Sequence, residues 1–101
     1  MRAQPTAFAW IDPDSETPAW HRAQVQRLAR HLGYMLLWPT ASLIPLVDQV
    51  RASDVDCLIT PSPEHLSPLE LNSIMAVCPV ESASPRLSFS KWIAVDAGRA
   101  Q

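Results

Sequence analysis

The 101-residue chain carries ten prolines but two glycines, with 48% hydrophobic residues, 18% charged residues and a formal net charge of −2. This size and balance argue for one folded domain with a single modest core, against a disordered chain. The weak negative charge excludes a whole-molecule pull toward nucleic acid or anionic lipid, and the shortage of glycine excludes a glycine-rich phosphate-binding loop.

Residues 7–11, AFAWI, form a short apolar run that ends in the turn-forming DPDSETP, which predicts a buried first strand and a loop. Thr17 before Pro18 predicts an N-cap followed by proline at the first helical position, where a missing N–H costs nothing. Val25, Leu28, Ala29 and Leu32 then recur at helical spacing, and Gly33 is placed to end the helix. The run YMLLW, residues 34–38, predicts a second buried strand. Ser42 is expected to cap a second helix with Pro45 in its first turn and Leu43, Leu46, Val47 and Val50 along its apolar stripe.

VDCLIT, residues 55–60, predicts a third strand. Ser67, Pro68 and Glu70 spell a capping box with proline at the first helical position, and Leu71, Ile74, Met75 and Cys78 continue the stripe. A short fourth strand is expected around Val80. RLSFSKWIAV, residues 86–95, begins with alternation and turns apolar, so the tail over 86–101 is open between strand and helix. Three rounds of strand and helix with short connections predict a single three-layer α/β domain over 1–101. Its sheet is small and mostly parallel, with about four strands and helices on both faces.

Cys57 and Cys78 lie in apolar surroundings in a chain with no export signal, so both are expected as buried free thiols. MRAQPTAFAW holds no apolar stretch of signal-peptide length, and no segment approaches the roughly 20 apolar residues of a membrane span. A cytoplasmic location, away from membranes, is the expectation.

In parallel sheets, chemistry gathers at the carboxyl ends of the strands. Three segments meet there, DPDSE, PTAS and PSPEHLS. Asp12, Asp14 and Glu16 stand where a response-regulator receiver domain keeps an acidic metal pocket, but the third strand ends in Leu58, Ile59 and Thr60, without a phosphate-accepting aspartate. Turn chemistry accounts for these acids. Ser15 is the loop hydroxyl suited to act as a nucleophile, with His65 as base and Glu64 to orient it. His21, His31 and His65 lack ligand spacing and neither cysteine belongs to a Cys-x-x-Cys pair, so no metal and no cofactor are expected. Residues 17–47 contain no acid but hold Arg22, Arg27 and Arg30, a candidate phosphate or anion patch. Of four tryptophans, Trp10 and Trp38 belong to apolar strands, whereas Trp20 and Trp92, with Phe89, are candidate interface residues.

The order of features over roughly residues 7–84 resembles the N-terminal catalytic domain of the resolvase/invertase group of serine recombinases. AFAWID stands at the family's first strand, where a Tyr-x-Arg-x-Ser signature is usual. HRAQVQRLARHLGY is similar to its Gln- and Leu-rich helix. Glu64, His65, Leu66, Ser67 and Pro68 stand at its Asp-Arg-Leu-Ser-Arg motif. In this register Trp10 replaces the first-strand arginine and Asp12 the nucleophilic serine, while His65 and Pro68 replace two arginines. Those arginines would stabilise charge developing on a phosphate during strand cleavage.

The resemblance thus implies a degenerate, non-catalytic resolvase-like domain, serving as a protein interaction or scaffold module through self-association or an unknown partner. The alternative is an enzyme acting on phosphodiesters or phosphate esters through Ser15, Asp12 and His65. DNA binding without cleavage would need a basic stripe that the net charge does not favour.

Overall fold

The computed structural model describes residues 4–92. Five strands, β1 (Thr6–Ala9), β2 (Met35–Leu37), β3 (Cys57–Thr60), β4 (Val80–Ala83) and β5 (Arg86–Phe89), form one sheet in the order β2-β1-β3-β4-β5. The first four are parallel, and β5 runs antiparallel to β4. The helices are α1 (Pro18–Leu32), α2 (Leu46–Ser53) and α3 (Pro68–Met75), with a 3-10 turn at Pro63–His65.

The sheet carries five strands instead of about four because RLSF pairs as a strand with β4. The tight connection through Ser84 and Pro85 turns the chain back, and Ser82 Oγ donates to the Pro85 carbonyl at 2.6 Å. The rest of the open tail, residues 93–101, lies outside the described residues.

Helices cover both faces of the sheet at the central strands β1 and β3, as strands buried on two sides require. The second strand, expected to be buried, is instead an exposed edge: β2 pairs on one side with β1, and no helix among the described residues covers Met35 and Leu37. On one face α1 packs Val25, Leu28 and Ala29 against Ala7, Ala9, Cys57 and Ile59. On the other, Leu46 and Val50 of α2 and Ile74 of α3 pack against Phe8, Leu58 and Val80. Alternation along β1 sends Ala7 and Ala9 one way and Phe8 the other. The small residues let α1 approach closely, while Phe8 fills the wider layer under two helices. Each fully buried Val, Leu or Ile side chain contributes about 1.5–3 kcal/mol. All four residues of β3 are buried, Thr60 included, whose Oγ1 has no hydrogen-bond partner among the described residues.

The helix ends follow the local chemistry. Gly33 sits at φ 84° after α1, and Tyr34 N–H reaches back to the Ala29 carbonyl at 2.8 Å. That left-handed turn is open to glycine at no steric cost. Before α3, Ser67 Oγ accepts from Glu70 N–H at 3.1 Å and Glu70 Oε1 from Ser67 N–H at 2.9 Å, the reciprocal box that the sequence spells. Two caps differ from expectation. Thr17 precedes α1, but its side chain makes no capping bond. The second helix starts at Leu46 with Pro45 at its N-cap, because Ser42 Oγ instead takes the Ile44 N–H at 3.0 Å and holds a turn.

Candidate functional site

The connections after β1 and β3 depart to opposite faces, one into α1 and the other into α3. This divergence opens a crevice at the carboxyl ends of the strands, where doubly wound folds bind ligands. Its two walls are stitched together by one residue. His65 Nδ1 accepts the Asp12 N–H at 2.9 Å, and the His65 carbonyl accepts Trp10 Nε1–H at 3.0 Å. An Nδ1 that accepts leaves the neutral ring's proton on Nε2. Burial pushes the His65 imidazole below its ordinary pKa, the neighbouring His21 adds to that, and Asp12 and Glu64 act weakly in the opposite sense.

His21, in the first turns of α1, meets the His65 ring edge to face, with centroids 4.5 Å apart at 87°. Ser15 Oγ lies 2.7 Å from His21 Nδ1 and accepts the Thr17 N–H at 3.2 Å. The Ser15 hydroxyl keeps both a proton and a second lone pair for this contact, so either partner can donate, according to the tautomer of His21. The loop reaches this position through Ser15 N–H to the Asp12 carbonyl and Asp14 N–H to Asp12 Oδ1, both 2.9 Å. Asp12, Asp14, Glu16 and Glu64 line the same small hollow as Ser15, His21 and His65.

Asp12, Ser15 and His65 therefore come together, but the base beside Ser15 is His21. His65 instead serves the backbone. Metal-ligand spacing gives no reason to single out His21; the signal that does is its place in the first turns of α1, where a helix side chain turns back toward the preceding loop. Among the described residues no carboxylate hydrogen-bonds to His21, and no group of three His, Cys, Asp or Glu side chains is placed to hold a metal ion.

The three arginines diverge. Arg22 lays its guanidinium over the Trp38 ring, with Cζ 4.0 Å from the centroid. Arg27 borders a hollow shared with His31 and Arg86, and Arg30 another beside Gly33. Eight residues along the helix separate Arg22 and Arg30 by roughly 12 Å. None of the three borders the Ser15 hollow.

A larger cavity of about 670 Å³ opens beside it, between the loops after β1 and β2 and the start of α1. Trp10, Trp38 and Arg22 line it, and Asp12 borders both hollows. Trp10 and Trp38 are half-buried against the two cores, on opposite faces of the sheet. Of the interface candidates, Trp20 is exposed on the first turn of α1. Phe89 is half-buried against the core under α3, and Trp92 is clasped to α3 through Nε1–H to Asn72 Oδ1 at 3.0 Å and its N–H to the Met75 carbonyl at 2.8 Å. No helix among the described residues is long and apolar enough to cross a membrane. Compared with known proteins, the chain matches no family model, no curated protein and no solved structure.

Proposed function

We propose that the chain is a non-catalytic, cytoplasmic interaction module of degenerate resolvase-like descent that self-associates through the β2 edge of its sheet. The observation that carries this reading is the uncovered apolar face of β2. Leu36 packs toward α1, so Met35 and Leu37 project to the opposite face, where they are 53% and 43% exposed. Leu43 and Ile44, on the connection leaving that strand, are exposed as well.

The edge also offers main-chain groups. Met35 N–H donates to the Pro5 carbonyl, toward β1. Alternation turns the N–H and C=O of Leu36 outward, where a strand edge recruits another strand. A second copy presents the same edge, so two-fold pairing would cover both apolar faces at once. The parallel order, the helices on both faces and the helix that ends at Gly33 and Tyr34 support the resolvase-like descent. The absence of catalysis is supported by chemistry at the loops: four carboxylates border the Ser15 hollow, which repels a phosphate ester, and among the described residues no arginine stands there to offset them.

Size exclusion with light scattering over a concentration series tests the assembly. A mass rising toward twice 11.2 kDa is expected, and a Met35→Lys/Leu37→Lys variant should stay at the single-chain mass. A wild-type mass fixed at 11.2 kDa throughout would refute self-association.

A further inference from the structure

The cavity between the β1 and β2 loops is unused by an assembly through the β2 edge, and its chemistry is specific. At about 670 Å³ it falls within the range of small-molecule sites, which are mostly apolar with a few placed polar groups. Trp10, Trp38, Pro13 and Pro39 supply flat or rigid walls. Three prolines border the cavity in all, counting Pro18, so its shape is largely set before any ligand arrives.

Among the described residues, one cation faces this space. Arg22 is held by its stack on Trp38, and among the described residues no carboxylate pairs with it. Its N–H fork is therefore free to take a planar anion edge-on, in the geometry that suits a carboxylate. The Asp12 carboxylate also borders the cavity and opposes a second negative charge. No glycine occurs among residues 9–22 or 38–49, so the loops offer none of the close backbone approach that a polyphosphate needs.

We propose that this cavity binds a flat aromatic monocarboxylate, its ring between the tryptophan and proline walls and its carboxylate on Arg22. The ligand carries one negative charge, which separates it from nucleotides and phosphate esters. Binding needs neither Ser15 nor a second copy of the chain.

The four tryptophans make the test site-resolved, because each indole N–H gives its own NMR resonance. Titration with naphthoate should shift the Trp10 and Trp38 resonances saturably and leave Trp20 and Trp92 unmoved. Naphthylmethanol, the uncharged analogue, should bind about tenfold or more weakly, and Arg22→Gln should weaken naphthoate by a similar factor. Naphthyl phosphate should bind no more tightly than naphthoate. Equal binding of the alcohol, an unchanged Kd in Arg22→Gln, tighter binding of the phosphate, or shifts confined to Trp20 and Trp92 would each overturn the proposal. The comparison of acid with alcohol uses the wild-type protein, so its outcome does not depend on how the variant folds.

Discussion

His65 shows how a residue placed for chemistry ends up holding the fold. Its ring nitrogen and its carbonyl each tie the β3 loop to the β1 loop, so the imidazole must stay neutral at Nδ1 for the Asp12 bond to survive. Its folded pKa lies below the ordinary 6.5, chiefly through burial and then through His21. The unfolded chain therefore binds more protons than the folded one in the window below about 6.5, and stability falls as pH drops through it. His21, Asp12 and Glu64 face the ring and modulate this, but burial leads. Urea midpoints are expected to be higher near pH 7.5 than near pH 5.5. His65→Gln keeps an acceptor without the titration and should flatten that difference; an equal slope in the variant would place the pH dependence elsewhere.

Among the elements, α3 depends most visibly on its cap. It is eight residues long, below the length at which a helix is stable by propensity, and Ile74 is its one fully buried anchor. Ser67 and Glu70 satisfy two donors at its start and hold the register that brings Ile74 onto Leu58 and Val80. Ser67→Ala should lower unfolding free energy by about 1 kcal/mol, measured by urea denaturation with an unchanged slope. At α1 the corresponding cap is absent. The Thr17 hydroxyl makes no capping bond, and Ser15 takes the Thr17 N–H while contacting His21. A change at Thr17 should therefore cost less than one at Ser67 in the same experiment.

On the scale of the whole molecule, the two thiols report on access to the two layers. Cys57 lies under α1 and Cys78 under α2 and α3, both buried and free. Burial raises Cys57 to about 12, against a smaller lowering by its bond to Tyr34, and raises Cys78 to about 11. Near neutral pH almost no thiolate exists to react. A disulfide reagent should leave the native protein unlabelled for as long as it stays folded, and labelling of both cysteines should rise together with urea-induced unfolding. Labelling of one cysteine well before the other would show that one layer opens independently.

Much of this architecture is local and was legible. The Gly33 stop, the Ser67–Glu70 box and the runs that became β1, β2 and β3 follow from residue type and spacing, because each is settled within one or two turns of chain. Ser42 misled for the same reason: its hydroxyl satisfies a local N–H just as well in a turn as at a helix start. Other features depended on neighbours distant in sequence. RLSF is a strand because β4 offers an open edge beside it, and no period in the tail distinguishes that outcome. His65 binds the Asp12 backbone 53 residues away, which leaves the place beside Ser15 to His21. The arginines that share one stretch of sequence end over three separate hollows. Sequence alone determined the layers and most of their punctuation, since hydrophobic period and capping act along the chain. Tertiary structure decided which side chains meet at the strand ends, since loops diverging to opposite faces of a sheet are brought together only by the packing beneath them.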